Sequence, residues 1–305
     1  MAHYHEQTDL DAKEGRHGQI VRYYTQADPD YGFWSKQHNM HFGYFARGMN
    51  PFDLEVMLDR MNLEVLAALH LPERGEARLL DLGCGVGTTA RCIASQRPDT
   101  SVAGITVVPW QARRARELTH EHGSAASGSA DIIPADFVLA DFTRTPFRDD
   151  TFDGAYALES SCYAPGLDKE PLIREAYRVI KPGGRLVIAD AFLKTSRPMN
   201  AVTRACYGAL CRCWALETWG DVHCVTECLV ASGFRDLRIV NISRNVTPSV
   251  LHIPTVTLKF AVTELLLRRS ALAAPRVGHM LAGLLLMLFA LDRTRSGYFL
   301  LSATK

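Results

Sequence analysis

The stretch Arg78-Leu-Leu-Asp-Leu-Gly-Cys-Gly-Val-Gly-Thr-Thr89 decides the fold. An apolar run that fits a buried strand passes into Gly83, Gly85 and Gly87, three glycines at alternate positions. Glycine costs backbone entropy on folding, but it opens φ values closed to other residues and leaves no Cβ between the main chain and a ligand. Asp81, at the strand end, stands where it can pair with a ribose or an amino group.

Two phosphate cradles do not match this turn. The dinucleotide fingerprint G-x-G-x-x-G meets Thr88 at its third glycine, and the next strand ends without the acid that holds an NAD ribose. No G-K-[ST] follows, which excludes a P-loop. Working outward, strands are predicted at 78–82, 102–107, 137–140, 154–158 and 185–189, with helices at 88–96, 110–120 and 172–180 and a small-residue loop at 123–130. Such alternation implies a parallel sheet with helices on both faces. Asp81, Thr106, Asp141, Glu159 and Asp190 close the five strands at the edge where open α/β sheets bind ligands. Beyond 191 the pattern predicts helices at 199–216 and 226–232, a strand at 234–240, apolar helices at 256–268 and 275–291 and a last strand at 297–303. The fold class is α/β, a doubly wound, mostly parallel seven-stranded sheet with an N-terminal helical lid and a C-terminal helical insertion. The expected division is a disordered tail over 1–18, a helical lid over 19–72, with a helix at 52–69, a ligand-binding core over 73–245, and an apolar insertion with the final strand over 246–305.

The 305 residues carry a formal charge of +1 with no basic run, so a nucleic-acid partner is not expected and small neutral or lipophilic partners are. Eight cysteines read as reduced thiols of a cytoplasmic protein. Five of them, Cys206, Cys211, Cys213, Cys224 and Cys228, lie near His223 in the sequence but lack paired C-x-x-C spacing, so no metal is expected. The run LAGLLLMLFAL at 281–291 is too short for a bilayer, which takes ~20 residues. It reads as a buried or lid helix, or as one that dips into a membrane surface. A homo-oligomer stays open.

Four motifs in order resemble the class I S-adenosylmethionine-dependent methyltransferases: LLDLGCGVG at 79–87, GITVVPWQARRAR at 104–116, ADFTRTPFRDDTFDGAY at 140–156 and EAYRVIKPGGRLVIAD at 175–190. The resemblance implies a Rossmann-like sheet, S-adenosyl-L-methionine as cofactor, and Asp81, Gly83, Gly85, Thr106, Gln111, Asp141 and Phe142 as its contacts. Asp141 would receive the adenine amino group, Phe142 would flank the base, and Thr106 and Gln111 would face the ribose. Gly104-Ile-Thr106 with Gln111 is similar to the tocopherol and cyclopropane fatty-acid groups, where threonine replaces the usual ribose-binding acid. The flanks WSKQHNMHFGY at 34–44 and ESSCYAP at 159–165 resemble segments of sterol 24-C- and tocopherol methyltransferases. The longer aromatic-acidic signature of the sterol enzymes is only partly present around 31–34, and Cys162-Tyr163 departs from their pattern.

In that chemistry the methyl donor is already a strong electrophile, so alignment and exclusion of water carry the catalysis. An isoprenoid alkene acceptor becomes a carbocation on methylation, which aromatic faces stabilise before a base removes a proton. Tyr24, Trp34, Phe42, Tyr44 and Trp219 supply faces, Glu159 is the first choice of base and His41 the second. Glu159 and His41 also have other readings: Glu159 as a holder of the cofactor's methionine end or of a backbone amide, and His41 as a residue that orders the N-terminal lid. The leading expectation is a C-methyltransferase of a lipophilic isoprenoid-like molecule. The alternatives are an O- or N-methyltransferase of a soluble natural product, with His41 or His223 as base, and a cofactor-binding module without turnover.

Overall fold

The computed structural model describes residues 15–73, 75–126, 135–195, 197–267 and 274–305. Its elements are α1 (Arg16–Trp34), α2 (Leu54–Ala68), β1 (Ala77–Leu82), α3 (Thr88–Gln96), β2 (Thr100–Thr106), α4 (Pro109–Ala126), β3 (Ala135–Leu139), β4 (Phe152–Leu158), α5 (Glu170–Val179) and β5 (Ile180–Leu193). There follow α6 (Ala201–Cys213), β6 (Gly220–Asp221), α7 (Val222–Ala231), β7 (Arg235–Asn241), α8 (Ser243–Val250), α9 (Ile253–Ala261), a π-helical stretch (Val262–Leu267), α10 (Ala274–Ala290) and β8 (Ser296–Thr304).

The sheet runs β3-β2-β1-β4-β5-β8-β7, with the two-residue β6 paired to β5 as an eighth strand beside the predicted seven. β1 to β5 pair in parallel, and β8 runs antiparallel between β5 and β7. Period-two alternation assigns the two faces. Leu80 and Leu82 of β1 pack with Leu172, Ile173, Ala176 and Val179, the apolar stripe of α5. Leu79, one residue out of phase, packs on the other face with Met61 and Val65 of α2 and Ala90 and Ile93 of α3. A third cluster, Leu210, Trp219, Ile253, Ala282, Leu286 and Phe289, ties α6, α9 and α10 together.

Strand order reverses between β1 and β4, so their C-terminal ends open onto a crevice where such sheets take ligands. The segment placed in a disordered tail divides: residues 1–14 lie outside the described residues, but α1 already begins at Arg16. Of the predicted small-residue loop, positions 123–126 are helical, as the last turn of α4, and 127–130 lie outside the described residues. Ser243–Val250, given no element by the sequence pattern, is helical despite its internal Pro248.

Candidate active site

The turn after β1 is held from below. Gly83 and Cys84 each donate a backbone N–H to Ile105 O of β2, at 3.0 and 2.9 Å. Gly83 has φ +100°, and a Cβ there would fall on Ser160, whose hydroxyl donates to Leu82 O. Gly87, at φ +76°, turns the chain into α3, and a Cβ there would enter the Phe137 ring. These two positions therefore require glycine for conformation and for space together.

All seven residues expected around the cofactor line one cavity at this edge. Thr106 Oγ1 donates to Gln111 Oε1 at 2.7 Å and accepts from Val108 N at 3.1 Å, so the second strand end and the start of α4 are fixed together. Asp81 is buried and accepts from Tyr156 Oη at 3.0 Å, and burial pushes its pKa up to about 7. A carboxyl held this way is ready for a cationic amino group, which would favour its charged form. Asp141 Oδ1 accepts from the backbone and hydroxyl of Thr143, and its Oδ2 lies 3.0 Å from His17 Nε2 of α1. The bare glycine cradle and the buried acid fit the donor that the sequence implies.

A second cavity adjoins the first, with about 1140 Å³ of empty space counted out to its mouth. Its walls come from α1, the segment after α1, the ends of β4 and β5, the stretch after α6, α9, α10 and β8. Tyr24, Trp34, Phe42 and Trp219 line it as expected of aromatic faces, and Tyr23, Tyr31, Tyr163 and Trp214 join them. Tyr44 does not: it packs with the core cluster on the α2 side of the sheet, its N–H donating to Met57 O at 2.8 Å. His223 is exposed at the start of α7 and lines neither cavity, which removes it as a base. All eight cysteines are free, and among the described residues no three His, Cys, Asp or Glu side chains are grouped as metal ligands.

Tyr24, Met40, His41, Glu159 and Tyr163 line both cavities and form the partition between them. Glu159 sits in left-handed backbone at φ +50°, fixed by its own N–H to Ala189 O at 2.8 Å. Its Oε1 accepts from Phe42 N at 2.6 Å and from Tyr298 Oη at 2.8 Å, which orients the carboxyl group. Burial, opposed by the Phe42 bond, pushes its pKa up to about 8. His41 is buried with Nδ1 3.0 Å from Phe42 O and Nε2 3.1 Å from Asn39 Oδ1, and burial takes its pKa down to about 4. The ring is neutral at pH 7, so it donates to one of these two oxygens and not to both. Burial also holds the Tyr24 phenol well above 10, so Tyr24 is a neutral ring as well.

Three contributors escaped the sequence. His17 lay within the expected tail, Ser160 had no motif position that announces its fit over Gly83, and Tyr298 reaches Glu159 only because β8 returns beside β5, with Tyr298 opposite Ala191.

A model of the methyltransferase domain matches residues 80–188. An O-methyltransferase of Pyrenophora dematioidea is 34% identical over 213 residues, covering 68% of this chain and 73% of that protein. The methyltransferase phqN of Penicillium fellutanum is 42% identical over 116 residues (38% of this chain, 32% of that protein). The 24-methylenesterol C-methyltransferase 2 of Oryza sativa subsp. japonica is 40% identical over 163 residues (53% and 40%). The chain thus spans about a third and two fifths of the length of these last two relatives. In fold it is similar to geranyl diphosphate methyltransferase, solved with GPP and sinefungin: TM-score 0.70, 17% identity, 95% of this chain and 98% of that one.

Proposed function

Since the chain belongs to the S-adenosylmethionine-dependent methyltransferase family and uses that cofactor, we propose that it methylates carbon in a lipophilic, isoprenoid-like acceptor held in the aromatic cavity. The observation that carries this reading is the shared partition: a strand-end cradle and an aromatic chamber meet at Glu159. In the first, Asp81 would hold the amino group of the methionine end, Gly83 and Gly85 would lie beneath the cofactor, Thr106 and Gln111 would face the ribose, and Asp141 and Phe142 would receive the adenine. Bound there, the cofactor supplies an electrophilic methyl group on a sulfonium.

The chain's own residues do the rest. The chamber aligns the acceptor double bond and excludes water. As the new carbon–carbon bond forms, the acceptor becomes cationic, and the faces of Tyr24, Trp34 and Trp219 offer their quadrupoles to it. Glu159 then takes a proton from the neighbouring carbon and the double bond is restored. The pKa of about 8 belongs to the cofactor-free site; a cationic sulfonium beside it would favour the charged, proton-accepting form, and the Phe42 and Tyr298 donors keep the carboxyl group aimed. His41, a buried neutral ring that can donate to only one of Phe42 O and Asn39 Oδ1, holds the lid segment, and burial makes it a weak base.

O-methylation is the second reading, supported by the 34% identity to an O-methyltransferase over 68% of the chain. There Glu159 would deprotonate a hydroxyl. Incubation with methyl-labelled cofactor and a panel of terpenoid, sterol and quinol acceptors separates the two. Label in a carbon-bound methyl group supports the first, and label on a heteroatom alone rejects it.

The outer side of α10 exposes Leu281 and Leu288, with Leu291 exposed just past its end, while its inner side, with Met280, Gly283 and Leu286, lines the aromatic chamber. That arrangement supports peripheral contact with a membrane that supplies the acceptor. No helix among the described residues is long and apolar enough to cross one. Co-sedimentation with phosphatidylcholine vesicles tests the contact; loss of binding in Leu288→Glu is expected, and equal sedimentation of both proteins rejects it.

A further inference from the structure

The ionisable groups that line the aromatic chamber are one-sided: acids without a cationic side chain among the described residues. Among the described residues three carboxyl groups, Asp30, Glu159 and Asp190, line it, and neither lysine nor arginine does. Its two histidines, His41 and His279, are buried and held neutral near pH 7, with His279 Nδ1 2.8 Å from Tyr23 Oη. Two cations behind the wall, Arg276 and Lys169, are already engaged. Arg276 lies 2.7 Å from Asp30 and 3.2 Å from Glu264, and its guanidinium stands over the Phe260 ring at 4.9 Å. Lys169 Nζ donates to Ala164 O at 2.8 Å and to Thr218 O at 2.9 Å, with Cys162 O at 3.4 Å.

An anion entering this space would lose its hydration, meet carboxyl groups and electron-rich ring faces, and find no ionised donor. A divalent ion could bridge an anion to carboxylates in principle, but among the described residues no trio of acidic or histidine side chains is placed to hold one. Resting on the acceptor role proposed for this chamber, we infer that the acceptor bears no anionic group: it is a neutral or amine-bearing lipophile, and prenyl diphosphates are excluded. The similarity in fold to an enzyme solved with GPP therefore stops short of the acceptor's head group.

The test uses one hydrocarbon chain with three head groups. Farnesol, farnesylamine and farnesyl diphosphate are titrated, with Mg²⁺ present, into the full chain saturated with S-adenosylhomocysteine, and binding is read from the fluorescence of Trp34, Trp214 and Trp219. The alcohol and the amine are expected to bind, with the diphosphate at least 30-fold weaker. A diphosphate that binds within 30-fold of the alcohol overturns the inference and leaves the chamber's acceptor role standing. Met280→Lys, which places an ammonium group in the lining, is expected to improve diphosphate binding at least tenfold. If no probe binds either protein, the acceptor role itself fails and takes the inference with it.

Discussion

The two cavities that meet at Glu159 are built in opposite ways. The cofactor side comes mainly from short segments at the ends of β1, β2, β3 and β4, closed over by α1 and the segment that follows it. The acceptor side is gathered from α1 to β8, with walls as far apart in sequence as Tyr23 and Tyr298. The first is rigid main chain with glycines where a ligand must approach; the second is a set of side chains whose arrangement depends on every packed helix around it. Damage to the first should therefore appear as lost cofactor affinity, and damage to the second as lost turnover or altered acceptor choice.

The largest effect expected is at Gly83. Valine there would need φ near +100° and would collide with Ser160, so Gly83→Val should weaken cofactor binding more than 100-fold in calorimetry or fail to fold; wild-type affinity would break the comparison at its firmest point. Thr106→Val keeps the shape but strips Gln111 of its donor and Val108 N of its acceptor. Loss of about 1–2 kcal/mol of cofactor affinity, roughly tenfold, should follow, with kcat at saturating cofactor unchanged.

A pH effect comes from the partition itself. The folded cofactor-free protein keeps a proton on Glu159 up to about pH 8, whereas the unfolded chain releases it near 4.5. Folding thus binds a proton in this window, and stability falls as pH rises through it. Asp81, pushed up to about 7, adds to the fall in the lower part, while His41 and His279, taken down to about 4, act in the opposite direction only below about pH 6.5. Between pH 6.5 and 8 the cofactor-free protein should lose about 1–2 kcal/mol in denaturant titrations, and Glu159→Gln should lose less. An equal slope in both would mean that Glu159 titrates normally. The smallest effect is expected at His41: His41→Asn should lower kcat by less than tenfold and leave the pH–rate profile unmoved, because the ring is a tie and not the base.

The same contrast explains what the sequence could reveal. Asp81, Gly83, Thr106 and Asp141 stand at strand ends or in the turn after β1, where the pattern alone marks a ligand edge, whereas Gln111 and the roles toward the cofactor follow from the family resemblance; all five line one cavity. Glu159 could be read for the same reason, as a polar residue closing β4. Tyr44 and His223 could not be sorted, because an aromatic or histidine has no local mark of which side of a sheet or helix it will face. Tyr298 and His17 reach the site through tertiary return of distant elements, β8 beside β5 and α1 across the cofactor mouth. The extra strand β6 is two residues long, too short to leave a periodic signal.

The central claim is that the methyl group passes at Glu159, between a cavity that binds the donor and a cavity that binds the acceptor. The direct measurement is kcat and cofactor Kd of Glu159→Gln side by side, with an acceptor taken from the labelled-methyl screen. The account predicts kcat reduced by at least about 100-fold with Kd changed less than threefold. A parallel collapse of both would make Glu159 part of the cofactor site, and an unchanged kcat would remove it from the chemistry.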